Sequence, residues 1–181
     1  MSPPKHSQLI LKWIRCTVEP SQSLAFDRAQ RAWSQLHEVA GFLAQTGGWD
    51  SEHQNEAGIL ALWRGLEHYR EFMERVHDRV LAASGQDRSY TRIRPGLFRL
   101  ATSETHRARQ LSERFTGAQS IQLTLRHDGG VHVLLLRDGA GSEEFIASPS
   151  PSEPKASSLV ERVSHDSHLR VEPAWRIQCA D

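Results

Sequence analysis

Cysteine is almost missing from this chain, and lysine is nearly as scarce. Only Cys16 and Cys179 occur in 181 residues, one inside an apolar run and one close to the C-terminal end, so no disulfide framework is expected. Lysine stands only at positions 5, 12 and 155; the other basic residues are arginine, which genomic base composition explains better than anion binding does. No excess of either charge exists. Up to residue 102 there are 13 basic and 11 acidic side chains, and beyond it 9 and 11, so neither part has the surplus that neutralising phosphates requires. Nucleic acid and anionic membrane surfaces are therefore not expected partners. No run approaches the ~18 apolar residues of a membrane span. The opening residues Met1 to His6 lack the apolar core of a secretory signal, and the cytoplasm is the expected compartment. Nucleophile elbow, dinucleotide fingerprint, phosphate loop and paired-cysteine zinc signature are all missing.

Apolar periodicity is abundant. Gln8 to Val18 is rich in β-branched and aromatic residues and closes on Glu19-Pro20, the pattern of a strand. Phe26, Ala29, Trp33 and Leu36 then recur at helical spacing, with Ser21 or Ser23 as the expected cap and Gly41 as the stop. Phe42 to Trp49 and Ala57 to Trp63 read as two further strands around a polar loop. A second helix is predicted from about Leu66 to Ala83, with Leu66, Tyr69, Phe72, Met73, Val76 and Val80 on one face. Gly85 ends it, and Tyr90 to Leu100 supplies a fourth strand, bent or interrupted at Pro95-Gly96.

The resulting order, βαββαβ, is that of a ferredoxin-like α+β module spanning residues 1–102. Its strands are apolar on both alternations: Leu9, Leu11 and Trp13 against Ile10, Ile14 and Cys16; Ile59, Ala61 and Trp63 against Leu60 and Leu62. Two helices cover one face of such a sheet, and the other would expose more apolar area than a monomer tolerates. A second sheet is required, from another subunit in a homodimer or from the rest of the chain.

Residues 103–181 read as a reduced, mostly β second module of about three strands and one helix. Its firm part is a hairpin, Gln119–Arg126 and Val131–Leu136, turning at Asp128-Gly129-Gly130. Residues 104–115 fit a helix or a linker, Asp138, Glu143 and Glu144 a solvated loop, 148–156 a flexible loop, 157–164 a short helix, and Leu169 to Ile177 a final strand.

The strings Lys12 to Val18, Ala29 to Trp33, Gly41-Phe42, Gly47 to Trp49 and Tyr69 to Asp78 resemble the bacterial YdbC-like family over roughly residues 9 to 100, and Val171 to Trp175 resembles that family's ending. The pattern is similar to the dimeric α/β-barrel superfamily, which includes quinone-forming monooxygenases and haem-degrading enzymes. The resemblance implies the same fold and, for a catalytic member, a cofactor-independent monooxygenase-like reaction on an aromatic or quinone-type molecule. The haem-degrading members pair a histidine on the second helix with a tryptophan there and an asparagine on the first strand. Here that helix offers Tyr69, Phe72 and Met73, and the first strand has no asparagine, so haem is disfavoured and no cofactor is expected.

His77 lies on the rim of the second helix's apolar face, facing the expected cavity between helices and sheet. An imidazole there is a candidate general base, and equally a half-buried histidine bonding a nearby carbonyl or carboxylate. Trp13, Trp49, Trp63 and Tyr69 are candidate walls for a flat hydrophobic ligand, or alternatively core and interface. Trp49 is singled out because Gly47-Gly48 permits close backbone approach. Lys12 and Arg15, on opposite faces of the first strand, suit either a salt bridge or an anionic ligand. His127, His132, His165, Asp166 and His168 match no metal-ligand spacing, and no metal is expected.

Overall fold

A computed structural model describes residues 8–100, 105–137, 141–150 and 166–179. The first half follows the predicted order: β1 (Leu9–Thr17), α1 (Ser23–Arg31), β2 (Phe42–Asp50), β3 (Glu56–Trp63), α2 (Leu66–Phe72), α3 (Asp78–Ser84) and β4 (Arg92–Leu100). Neither serine caps α1. Gln22 stands at the cap without a side-chain bond and Ser23 is the first helical residue, while a 3₁₀ stretch, Ala32–Glu38, extends the helix to Trp33 and Leu36. Gly41 makes the turn into β2 with φ 79°. The predicted second helix is one continuous rod, α2 and α3 joined by a π-helical turn over Met73–His77. β4 runs unbroken through Pro95, which is tolerated because β7 meets β4 only at Phe98 and Arg99 and the earlier residues form an edge.

The second half holds more strand than its sequence suggested. It comprises α4 (Thr105–Gly117), β5 (Ser120–Leu125), β6 (Val131–Arg137), β7 (Gly141–Pro149), β8 (Asp166–Val171) and β9 (Ile177–Gln178). The hairpin is where it was expected, with Gly129 at φ 81°. Glu143 and Glu144 are not a loop: they lie in β7, where Glu143 pairs with Arg114 and Glu144 stands 3.1 Å from His132. The expected final strand is two, because Pro173–Trp175 forms a 3₁₀ turn between β8 and β9. Asp138, the loop residues 151–156 and the predicted helix 157–164 fall outside the described residues.

The nine strands of the described residues form one antiparallel sheet in the order β3-β1-β4-β7-β6-β5-β8-β2-β9, and β3 also pairs with β2, so the sheet closes on itself. The chain thus supplies its own second sheet. A homodimer was expected because the two-sided strands need a second layer, and that reason is met within one chain. Inside the ring, Leu9, Leu11 and Trp13 face Leu60, Leu62, Ile121, Leu123, Val133 and Leu135, with Ala108, Leu111 and Phe115 of α4 in the same core. Ser112 of α4 donates to the Leu43 carbonyl at 2.9 Å. Outside the ring, Ile10, Trp63 and Leu97 pack under Trp33, Leu36, Tyr69, Phe72 and Val80 from the helices. No helix among the described residues is long and apolar enough to cross a membrane.

The glycine pair of β2 serves the closure. A Cβ at Gly48 would overlap the Arg170 backbone carbonyl on β8, whereas one at Gly141 meets open space. Gly48→Ala should therefore lower stability by about 2–3 kcal/mol in urea or thermal unfolding, with Gly141→Ala within about 0.5 kcal/mol of wild type. Equal effects of the two substitutions would contradict a tightly closed β2–β8 seam.

Candidate functional site

One face of the sheet determines where a site can form. In β1 the even-numbered residues Lys12, Ile14 and Cys16 point away from the ring, and antiparallel register sets Ala61 and Ile59 of β3 beside Lys12 and Ile14. Gln45 of β2 continues the Lys12–Ala61 row, and Pro95 of β4 flanks Ile14. These residues floor a cavity of about 250 Å³ roofed by Gln30, Trp33, Phe72, His77 and Gln86. Trp63 and Tyr69 close one side. The mouth carries Met73 and Ile93, two of the few large apolar side chains left substantially exposed.

The walls are aromatic and interlocked. Trp63 packs edge-on to Phe42 at 5.3 Å between centroids and to Tyr69 at 5.8 Å, and lies tilted against Phe72 at 4.7 Å. The His77 ring sits between Trp33 at 5.7 Å and Phe72 at 5.8 Å. Its Nδ1 is 2.9 Å from the Asp78 carboxylate, with 26% of the side chain exposed. The π-helical turn that ends at His77 is a local widening of a kind frequent at functional sites, and it carries both Met73 and His77 onto the cavity wall. Lys12 rises from the floor with its ammonium 5.4 Å from the Tyr69 ring centroid.

Of the sequence-predicted residues, His77, Trp63 and Tyr69 converge on this cavity, and Trp13, Arg15 and Trp49 do not. Trp13 is buried inside the ring, 6.4 Å from Phe98, because its odd-numbered position faces the other way. Arg15 shares that face and lays its guanidinium 4.8 Å from the Trp13 ring centroid. Trp49 joins Phe26 and Trp175 in a triangle with centroids 5.5–5.6 Å apart, tying α1 and β2 to the C-terminal turn. The indole of Trp175 donates to Asp27 at 2.8 Å.

The sequence reading overlooked three glutamines. Gln30, Gln45 and Gln86 are buried and line the cavity. A signal existed for Gln30, which falls on the apolar stripe of the first helix four residues after Phe26 and three before Trp33. Trp33 Nε1 donates to Gln86 Oε1 at 2.7 Å, and Gln86 Nε2 donates to Gln30 Oε1 at 2.6 Å. Gln45 Nε2 donates to the Trp175 carbonyl at 3.4 Å.

A second polar cluster, also overlooked, lies at the β2–β3 loop. Donor atoms of Asp50, His53 and Glu56 lie within 4.8 Å of one another. The Asp50 carboxylate is occupied by the backbone N–H groups of Glu52 and His53 at 2.9 Å and of His168 at 3.3 Å, and Glu56 pairs with Arg94 at 3.0 Å. That arrangement is a loop staple. Among the other histidines, His168 stands 3.7 Å from Glu52, and His165 lies outside the described residues.

Comparison with known proteins bears on the same half of the chain. A family model described as "Domain of unknown function (DUF4937)" matches residues 10–98. The chain is 32% identical over 80 residues to the uncharacterised protein YdbC of Bacillus subtilis (strain 168), a match covering 43% of this chain and 67% of YdbC. The chain belongs to the YdbC-like family. Among solved structures it is similar to an anthrone oxidase-like protein, with a TM-score of 0.53 at 10% identity over 93% of this chain and 92% of that one. A protein from Lactobacillus acidophilus NCFM, provisionally named a monooxygenase, also superposes with a TM-score of 0.53 at 10% identity, over 94% and 96% of the two chains. At these identities the likeness establishes the barrel fold for this YdbC-like chain, and leaves activity to be argued from the cavity.

Cys16 lines the cavity, yet it is a poor nucleophile. Burial, and secondarily the charge of Glu56, push its thiol from 9.0 up to about 12. Tyr90 beside it is also raised, first by burial and then by Cys16 and Asp87. The folded state holds the thiol proton more tightly than the unfolded chain, so this contribution to stability is full below pH 9 and is lost as pH rises towards 12. Urea unfolding between pH 8 and 10 should show wild type losing up to about 1 kcal/mol per pH unit more than Cys16→Ala. Parallel pH profiles would contradict the buried thiol.

Proposed function

We propose that this cavity binds a planar, mainly apolar small molecule of two or three rings. The observation carrying the reading is the cavity itself: about 250 Å³ walled by Trp33, Trp63, Tyr69 and Phe72, with a few polar groups aimed inward. That volume is just below the ~300–1,000 Å³ of drug-sized sites, which limits the ligand to a small one. N-phenyl-1-naphthylamine, whose emission rises in apolar surroundings, is the probe. Ala61 lies in the floor, so Ala61→Phe fills the cavity and should weaken probe binding at least tenfold, about 1.4 kcal/mol, while the folded state persists in thermal unfolding. Unchanged binding would place the probe elsewhere and remove the reading.

The bond between His77 and Asp78 favours a second reading, a cofactor-independent oxygenase acting on an oxidisable aromatic ketone. A carboxylate at Nδ1 favours the tautomer protonated there and leaves the Nε2 lone pair available as a base. The base removes a proton from the activated CH₂ of the substrate, and the resulting anion reduces O₂. One oxygen atom ends in the new carbonyl and the other leaves as water, so that R₂CH₂ + O₂ gives R₂C=O + H₂O. The dry aromatic walls would hold the anion oriented and shielded. With anthrone as substrate, His77→Ala should lower kcat/KM for oxygen uptake by about 10²-fold. Unchanged turnover would eliminate this base.

A further inference from the structure

The three-residue chain of hydrogen bonds in the cavity roof has a direction, and the direction is fixed by its first member. An indole N–H donates and never accepts. Since Trp33 Nε1 lies 2.7 Å from one end of the Gln86 amide, that end is the carbonyl. The other end of Gln86 is then the NH₂ group, and it meets the Gln30 amide at 2.6 Å, which must be the carbonyl of Gln30. The usual ambiguity between the two ends of an amide is removed twice over. What is left of Gln30 is its NH₂. The side chain is 2% exposed and lines the cavity, and its Nε2 has no partner among the described residues.

We infer that Gln30 is a specificity-determining residue that presents a fixed N–H donor to the cavity, so the ligand is a planar molecule bearing a carbonyl or phenolate oxygen at that wall. The inference rests on the proposed binding role of the cavity and adds to it the chemistry of the ligand. An amide donor facing an apolar space stays unpaired when a purely hydrocarbon ligand enters, which penalises such ligands relative to oxygenated ones of the same shape. The ammonium of Lys12 in the floor adds positive potential and favours the same oxygen. Gln86 is a positioning residue here, acting through Gln30.

1-Tetralone and tetralin share one skeleton and differ by one carbonyl, and calorimetric titration of both into the full chain tests the idea. Transfer out of water alone favours tetralin, so tighter binding of 1-tetralone by about tenfold or more in wild type would reveal the donor. Gln30→Met should remove that preference, weakening 1-tetralone binding and tightening that of tetralin. Gln86→Glu should remove it with Gln30 intact. A carboxylate accepts from both Trp33 and Gln30, so Gln30 would turn its NH₂ away and offer its carbonyl to the cavity; a residue needed only for packing gives no such effect. If wild type binds both compounds equally, or Gln30→Met keeps the preference, the donor assignment is overturned and the binding site stands. If wild type binds neither compound, the binding site itself is refuted and this inference with it.

Discussion

Everything in this molecule follows from a sheet whose two faces are both apolar. Successive residues of β1 bury alternately inward, as Leu9, Leu11 and Trp13, and outward, as Ile10 and Cys16. Neither face survives in water, and each needs a cover of different shape. The inner face is covered by strands. β5, β6 and β8 bring Ile121, Leu123, Val133, Leu135 and Leu169 against it, and α4 adds Phe115, fully buried. Removing a side chain of that size from such a core typically costs about 3–5 kcal/mol, so the interior is where stability is concentrated. The outer face is covered by helices, which are rods and do not conform to a curved sheet as closely as another sheet does. The space left between them is the cavity.

The polar groups of that space are mainly neutral amides bonded to one another and to their neighbours. Burial keeps Cys16 a thiol, so the cavity carries no ready sulfur nucleophile. The amides of Gln30, Gln45 and Gln86 are neutral and held by one another, by Trp33 or by the Trp175 carbonyl. Buried amides in an aromatic setting are costly unless bonded, and their bonding here makes the cavity rigid and directional. His77 is held at the rim by Asp78 and wedged between two aromatic rings.

The first hundred residues were legible because short β-branched and aromatic runs bounded by turn residues placed β1 to β4, and helical spacing with one buried and one exposed side placed both helices. The two-sidedness of the strands even announced that a second layer was needed. The source of that layer was not legible, since an inward face looks the same whether a partner or the same chain covers it. β7 escaped because its run opens on the acidic Ser142-Glu143-Glu144, although Phe145 and Ala147 further along it pack into the inner core. The site divided the same way. Trp63 and Tyr69 were found because they are aromatic, but so were Trp13 and Trp49, and residue type does not tell which side of a closed sheet a ring occupies. Gln30 and Gln86 were missed because an amide is informative only through its partners, 56 residues apart in the chain.

The two halves of the barrel are not equivalent in what they contribute. β4 meets β7 only at Phe98–Pro149 and Arg99–Ser148, and β2 meets β8 only from Gly48 to Asp50, whereas β1 and β3 are paired along their whole length. The halves therefore join through three short strand pairings, the third between β2 and β9 at Ala44–Gln178 and Gln45–Ile177, and through a broad apolar contact in which the second half mainly covers the inner face. The residues lining the cavity run from Lys12 to Pro95, and the family match runs from 10 to 98. The segment shared with the YdbC-like family is thus the segment that holds the whole of the cavity. A cover can vary in sequence as long as it stays apolar on its inward side. A cavity whose amides are set by mutual hydrogen bonds cannot lose one of them without turning the others.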